Sequence, residues 1–256
     1  MTLIDAFDID INQPEHIAFV GGGGKTTAMF ALARALKEAG SSVLVTTTTN
    51  MRYPSEDQCD RIVLIDDQEA DIMGAIAAGS VVYLGGGMNA QIKKIKSVDP
   101  EFLDKLHKNG NVQTLLVEAD GAKCKAIKAP ADYEPVVPAT TTMVVGIVGL
   151  DALGIPADDK NVHRLEQFCN VTDSLPGATI TEETITRLIT APAGLFKGAP
   201  EQSRKIVLLN KADDDTLQQH AGRIALQIPE DAGIDTVLVA SMQRPLIHMQ
   251  YQLEKS

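Results

Sequence analysis

The sequence has no tryptophan, only three cysteines and 4% aromatic residues in a length of 256. With so few flat rings it lacks the stacking platform on which single-stranded nucleic acid is held. Basic residues are also scarce: 23 Lys and Arg stand against 34 Asp and Glu, a formal charge of −11. A chain this acidic repels nucleic-acid phosphates and anionic lipid, so neither is an expected partner. Cys59, Cys124 and Cys169 are odd in number, far apart and form no C-x-x-C pair. That argues against a disulfide framework and suits a reducing compartment. Long apolar runs are missing too, because the most apolar stretch, 143–155, contains Asp151 and is too short to span a bilayer. The first residues, MTLIDAFDIDINQPEH, are acidic where a secretory leader needs basic ones. The expectation is a soluble cytoplasmic protein without a membrane partner.

What is present is an alternation of short apolar runs with helical patterns. Strands are expected at 17–20, 42–46, 61–65, 80–84, 113–118, 142–148, 205–209 and 236–240. Helices are expected at 26–39, 68–78, 100–108, 161–169, 181–190 and 216–226. Near-continuous apolar strands separated by helices indicate a parallel sheet covered on both faces. The fold class is therefore α/β, a three-layer, mostly parallel sheet of P-loop NTPase type. Residues 1–256 read as a single domain with a helical insertion around 149–200. The proline-punctuated stretch 128–138 is expected to be a long ordered loop, and the polar residues before Ile17 a short extra strand or an arm.

Residues 20–27, V-G-G-G-G-K-T-T, lie where the first strand ends and a helix begins. Gly21, Gly22, Gly23 and Gly24 let the backbone curl so that successive N–H groups point at phosphate oxygens, and the following helix adds its positive end. Lys25 would reach the outer phosphates, the Thr26 hydroxyl would ligate Mg²⁺, and Thr27 completes the turn. The opening glycine of G-x-x-x-x-G-K-[ST] is replaced by Phe19, so the loop is tightened or differently shaped. A Rossmann turn is the rival, but it has no use for Lys25 and Thr26 and expects an acid after the second strand, where Thr46 to Thr49 stand.

T-L-L-V-E-A-D-G, 114–121, runs an apolar strand into two carboxylates. A strand-end acid holds Mg²⁺ opposite the loop threonine in P-loop proteins. Glu118 and Asp120 are both candidates for the metal and for catalysis alongside Lys25; sequence does not choose between them. Near the C-terminus, N-K-A-D at 210–213 follows another strand. The Asp213 carboxylate can accept from guanine N1–H and the N2 amino group, which adenine does not present. Asn210 would bridge base and loop, the Lys211 stem would lie along the ring, and Ala240 and Ser241 would offer N–H groups to O6. Together these motifs imply GTP as ligand with Mg²⁺. The rival reading of Asp213 to Asp215 is a solvated helix start.

Three lysines, Lys123, Lys125 and Lys128, follow the acidic strand end and read either as a second anion site or as a solvent-facing loop. Arg164 reads as a phosphate-neutralising fork or as a partner of Glu166 or another acid.

The three motifs in this order resemble the P-loop GTPases that include the nickel-insertion chaperones of hydrogenase and urease, although the lysine that opens their loop is Val20 here. A closer resemblance runs along nearly the whole chain. FVGGGGKTT, VTTTTNM, LVEADGAKCKAIKAPADYEPVVP, VVGIVGLDALG, VHR and LLNKAD resemble the YqeC family. That resemblance implies a P-loop protein serving selenium-dependent molybdenum hydroxylases or their cofactor. The resulting expectation is a Mg²⁺-dependent, GTP-hydrolysing maturation factor. The alternatives are a phosphotransferase or nucleotidyltransferase acting on a pterin or selenium compound, and a nucleotide-dependent scaffold.

Overall fold

The computed structural model describes residues 1–66, 72–76, 79–91, 94–110 and 112–253. Its centre is a nine-stranded sheet built from β1 (Glu15–Gly21), β2 (Val43–Thr47), β3 (Arg61–Leu64), β4 (Val81–Gly85), β5 (Thr114–Glu118), β6 (Met143–Gly149), β7 (Arg204–Asn210), β8 (Thr236–Ser241) and β9 (Leu246–Gln252), in the order β9-β8-β7-β6-β1-β5-β2-β4-β3. All neighbours are parallel except β8 and β9. The central strands are buried at every residue, which is why they appear in the sequence as unbroken apolar runs.

Among the described residues seven α-helices flank the sheet: α1 (Leu3–Ala6), α2 (Lys25–Glu38), α3 (Ile72–Ala75), α4 (Pro100–Lys108), α5 (Leu165–Thr172), α6 (Glu182–Thr190) and α7 (Asp215–Gln227). Alternate residues of β1 face opposite layers. Ile17 and Phe19 pack with α1 and α2, while Ala18 and Val20 pack toward the core that α5, α6 and α7 close. The three-layer, mostly parallel expectation holds. Local chemistry sets the helix ends. The Asp99 side chain caps α4, with Pro100 in its first turn; a Thr181–Thr184 capping box opens α6; and Asp214 caps α7 by accepting from Leu217 N at 2.8 Å.

Two expectations need correction. Residues 3–6 form helix α1, opened by a Thr2–Asp5 capping box, and Glu15 and His16 belong to β1 itself, so the segment is neither a separate strand nor an arm. Residues 161–164 are not helical: Val162–His163 pairs with Ile127–Lys128 in a separate two-stranded sheet, and α5 starts at Leu165. Edge strand β9 was not foreseen, and a bulge between Val239 and Ala240 explains why. Ile247 pairs with Ala240 and packs on one face, whereas Met249 pairs with Val239 and packs on the other. The period of two that marks a strand is broken there. The helix expected at 68–78 is seen only as Ile72–Ala75; residues 67–71 and 77–78 lie outside the described residues. Among those described, no helix is long and apolar enough to cross a membrane.

At the opposite end of β1 from the glycine loop, His16 is fully buried, with Nδ1 2.8 Å from Thr140 Oγ1 and its ring 5.3 Å from that of His107. Burial, and then the His107 charge, push its pKa down to about 3 against the pull of Asp104. The unfolded chain therefore takes up a proton below about pH 6.5 that the folded chain refuses, and stability falls as pH falls toward 3. By pH 4 this one group removes on the order of 3 kcal/mol. His16→Gln is expected to flatten the loss between pH 7 and pH 4, measured by urea unfolding at several pH values. An unchanged slope would refute this assignment.

Candidate functional site

Strand β1 lies where the chain turns from one side of the sheet to the other, and its C-terminal end opens onto the crevice where α/β sheets bind ligands. The glycine loop occupies that end and is held tightly. Gly21 has φ +91° and Gly23 φ +83°, and an added Cβ would sit 2.3 Å from Ile147 O at the first and 2.2 Å from Gly149 N at the second. Only glycine combines that backbone with that closeness. Gly22 N donates to Ile147 O and Gly23 N to Lys125 O, each at 2.9 Å, so the loop is stitched to β6 and to the segment after β5. Helix α2 then opens at Lys25 without a side-chain cap at Gly24. Its first amides are the orphan donors of a helix start, and they sit at its positive end.

Lys25 is buried. Its Nζ donates to Gly21 O at 2.6 Å and lies 3.2 Å from Asp120 Oδ1. Burial works against its charge, but Asp120 and then Glu118 outweigh it and hold the ammonium above the usual range. Thr26 Oγ1 donates to Glu118 Oε2 at 2.6 Å. Burial raises the Glu118 carboxyl, opposed by Lys25 and the Thr26 hydroxyl.

A hydroxyl and a carboxylate of this kind are hard oxygen donors that fit magnesium, which takes one or two protein oxygens and completes its shell with waters and ligand phosphates. Among the described residues there is no group of three or more His, Cys, Asp or Glu that could hold a metal ion.

The two strand-end acids part company. Asp120 lies 2% exposed, with Oδ2 accepting from Gly21 N at 3.1 Å and lying 2.9 Å from Lys128 Nζ. It braces the glycine loop between two ammonium groups. Lys128 in turn donates to Gly121 O and Glu134 Oε2, both at 2.8 Å. Glu134 takes a two-pronged contact from Arg164, Nε at 2.9 Å and Nη2 at 2.8 Å. Desolvation opposes the Glu134 charge, but Arg164 and Lys128 hold the carboxyl down at about 2. The run Lys25–Asp120–Lys128–Glu134–Arg164 thus ties the loop to the start of α5.

This corrects the reading of the three lysines as one patch. Lys128 is interior, Lys125 Nζ is bound to the carbonyls of Val162 and Asp159, and of the three only Lys123 is exposed. Arg164 pairs with Glu134 rather than Glu166. The threonine run at the end of β2 is structural: Thr46, Thr47 and Thr48 donate to the carbonyls of Leu84, Glu118 and Val136.

On the other flank, Asn210 joins two loops. Its Nδ2 donates to Gly23 O at 2.8 Å and its Oδ1 accepts from Met242 N at 2.9 Å. Lys211 adopts φ +64° and its Nζ lies 2.6 Å from Asp151 Oδ2. Asp213 is exposed, while Asp214 is spent as the α7 cap. Gly24, Thr27, Asn210, Lys211, Asp213 and Met242 line a cavity of about 200 Å³. A larger cavity of about 490 Å³ shares Gly24, Thr27 and Lys211 with it, takes in Lys25 and Thr26, and extends past Glu118 and Gly121 to Arg52 and Tyr53. Motif reading missed Glu134, Asp151 and the wall at 50–53. Glu134 and Asp151 lie in stretches already noted for other reasons, but nothing in their spacing announces the partners they take.

The family model described as "YqeC protein" matches residues 17–166. The "Uncharacterized protein YqeC" of Escherichia coli (strain K12) is 32% identical over 199 residues, which cover 78% of this chain and 77% of that protein. A crystal structure of FtsY from Mycoplasma mycoides aligns at 14% identity with a TM-score of 0.37, over 93% of this chain and 56% of that one.

Proposed function

The chain belongs to the YqeC family, and from the geometry of its glycine loop we propose that it binds a nucleoside triphosphate with Mg²⁺, selects guanine and hydrolyses the terminal phosphate. The observation that carries the reading is the meeting at one crevice of Lys25, the Thr26–Glu118 oxygen pair and the uncapped start of α2. Phosphoryl transfer needs positioning and charge neutralisation more than covalent help. Lys25 neutralises outer phosphate oxygens, the glycine amides and α2 orient the chain of phosphates, and Asp120 with Lys128 keeps the loop in shape. Thr26 and Glu118 would hold Mg²⁺, which supplies further charge neutralisation when bound. Asp120, already committed to two ammonium groups, is assigned the bracing role rather than the metal.

Guanine selection is supported by the cavity at Asp213 and by Asn210, whose amide links the phosphate loop to the loop after β8. The cellular role we propose, maturation of selenium-dependent molybdenum hydroxylases or their cofactor, rests on the family resemblance. Titration of the purified protein with GTP, ATP and CTP analogues plus Mg²⁺ tests the biochemical part. GTP is expected to bind tightest, and Asp213→Ala to cut its advantage over ATP by about tenfold or more. ATP binding as tight as GTP in the unaltered protein would overturn guanine selection while leaving nucleotide binding in place.

A further inference from the structure

We infer that the larger cavity is a site for a second, anionic small-molecule substrate, one bearing a phosphate or carboxylate group, beside the terminal phosphate of the nucleotide. The inference rests on the nucleotide reading for its placement, and on separate residues for its chemistry.

The chain carries 34 acids against 23 bases, and most cations around the crevice are committed: Lys25 and Lys128 to Asp120, Arg164 to Glu134, Lys211 to Asp151, Lys125 to backbone carbonyls. Arg52, Lys94 and Lys123 all line the larger cavity. Among the described residues none of the three side chains has a hydrogen-bond or ion-pair partner. The only carboxylate among the described residues lining that cavity is Glu118, already bonded to Thr26. An acidic protein that leaves three cations unmatched around one concavity has built a place for negative charge.

The backbone supports the same conclusion. Met51–Arg52 pairs antiparallel with Lys94–Ile95 in a small three-stranded sheet, and the register sets Arg52 directly opposite Lys94. Like charges facing each other across strands destabilise the pair; an anion between them reverses the sign. Elsewhere in the lining of the same cavity Lys123 and Cys124 adopt φ +48° and +60° in succession. Left-handed backbone at consecutive non-glycine residues is strained and gathers at ligand-binding sites. The exposed ring of Tyr53 follows Arg52 along the wall, giving an apolar surface for the rest of the ligand. The Arg52 guanidinium can take a phosphate or a carboxylate in a two-pronged contact.

The test uses the full chain saturated with Mg²⁺ and a non-hydrolysable GTP analogue, so that the glycine loop is filled, and titrates it calorimetrically with inorganic phosphate and, separately, citrate. Binding of at least one is expected, and the arm that binds tells phosphate from carboxylate. The Arg52→Ala/Lys94→Ala double variant is expected to weaken it by about tenfold, and Lys123→Ala to weaken it as well. Without added anion the double variant is expected to melt at or above the temperature of the unaltered protein, because a repulsion has been removed. No binding of either probe, or binding unchanged in the variants, overturns the inference. Failure of the nucleotide reading shows separately, as absence of analogue binding; the anion titrations then run on the free protein, where the effect of Arg52→Ala/Lys94→Ala still decides.

Discussion

Lys25→Ala is expected to weaken triphosphate binding by roughly a hundredfold or more, equivalent to about 3 kcal/mol. The ammonium is buried between Gly21 O and Asp120, with Glu118 nearby, so it meets phosphate in a poorly solvated setting where a charge-assisted contact is strong. Neither Lys128 nor Lys211 is free to replace it: Lys128 is held by Asp120, Glu134 and Gly121 O, and Lys211 by Asp151. In the variant, Asp120 keeps Lys128 and the Gly21 amide, so the loop retains two of its ties. Isothermal titration, with a thermal melt of the nucleotide-free variant as the folding control, is the measurement. Wild-type affinity in a folded Lys25→Ala protein would remove the phosphate-loop reading altogether.

Lys128→Met is expected to be the most damaging change to stability, at about 3–5 kcal/mol. The methionine keeps most of the side-chain length and packs as an apolar group, so the loss is electrostatic. Lys128 is 1% exposed, and its removal strips a donor from Asp120, from Glu134 and from Gly121 O together. That is a sizeable share of the roughly 5–15 kcal/mol that holds a typical protein folded. Adding Asp120→Asn is expected to recover part of the loss, because it removes a carboxylate that would otherwise have only Lys25 as a counter-charge. Urea unfolding of the single and double variants gives the comparison, and a loss below about 1 kcal/mol for Lys128→Met would show the network to be dispensable.

The sign of the acid response follows from the same network. Glu134 lies near 2 in the folded chain, so its contribution is complete above its unfolded value of about 4.5 and disappears as pH falls toward 2. Removing Lys128 weakens that depression, and the variant has less left to lose in acid.

The strands and the glycine loop were legible because their determinants are local. A strand buried on both faces must be apolar at every position, and a loop that curls within reach of β6 must be glycine wherever a Cβ would strike Ile147 O or Gly149 N. The starts of α4, α6 and α7 were legible to within a residue, and each has a side-chain oxygen capping an amide two or three residues on; those of α1 and α5 were not. The site was partly legible: Lys25, Thr26, Glu118, Asn210 and Asp213 all appear around the two adjoining cavities.

Sequence alone could not separate Glu118 from Asp120. Two residues apart, they would share a face if the strand continued. Strand β5 ends at Glu118, so the acids diverge, one to the Thr26 hydroxyl and one to two lysines. Nor could it tell that Lys128 is interior while Lys123 is exposed, or that Arg52 faces Lys94 across 42 residues of sequence.

The sequence by itself determined the layering, the parallel core and the position of the glycine loop, since each follows from periodicity or backbone sterics within a few residues. Tertiary structure alone decided which charges neutralise one another and which are left facing the cavity. Electrostatic partnership depends on distance in space and on exclusion of water, and neither quantity is written in the spacing of residues along the chain.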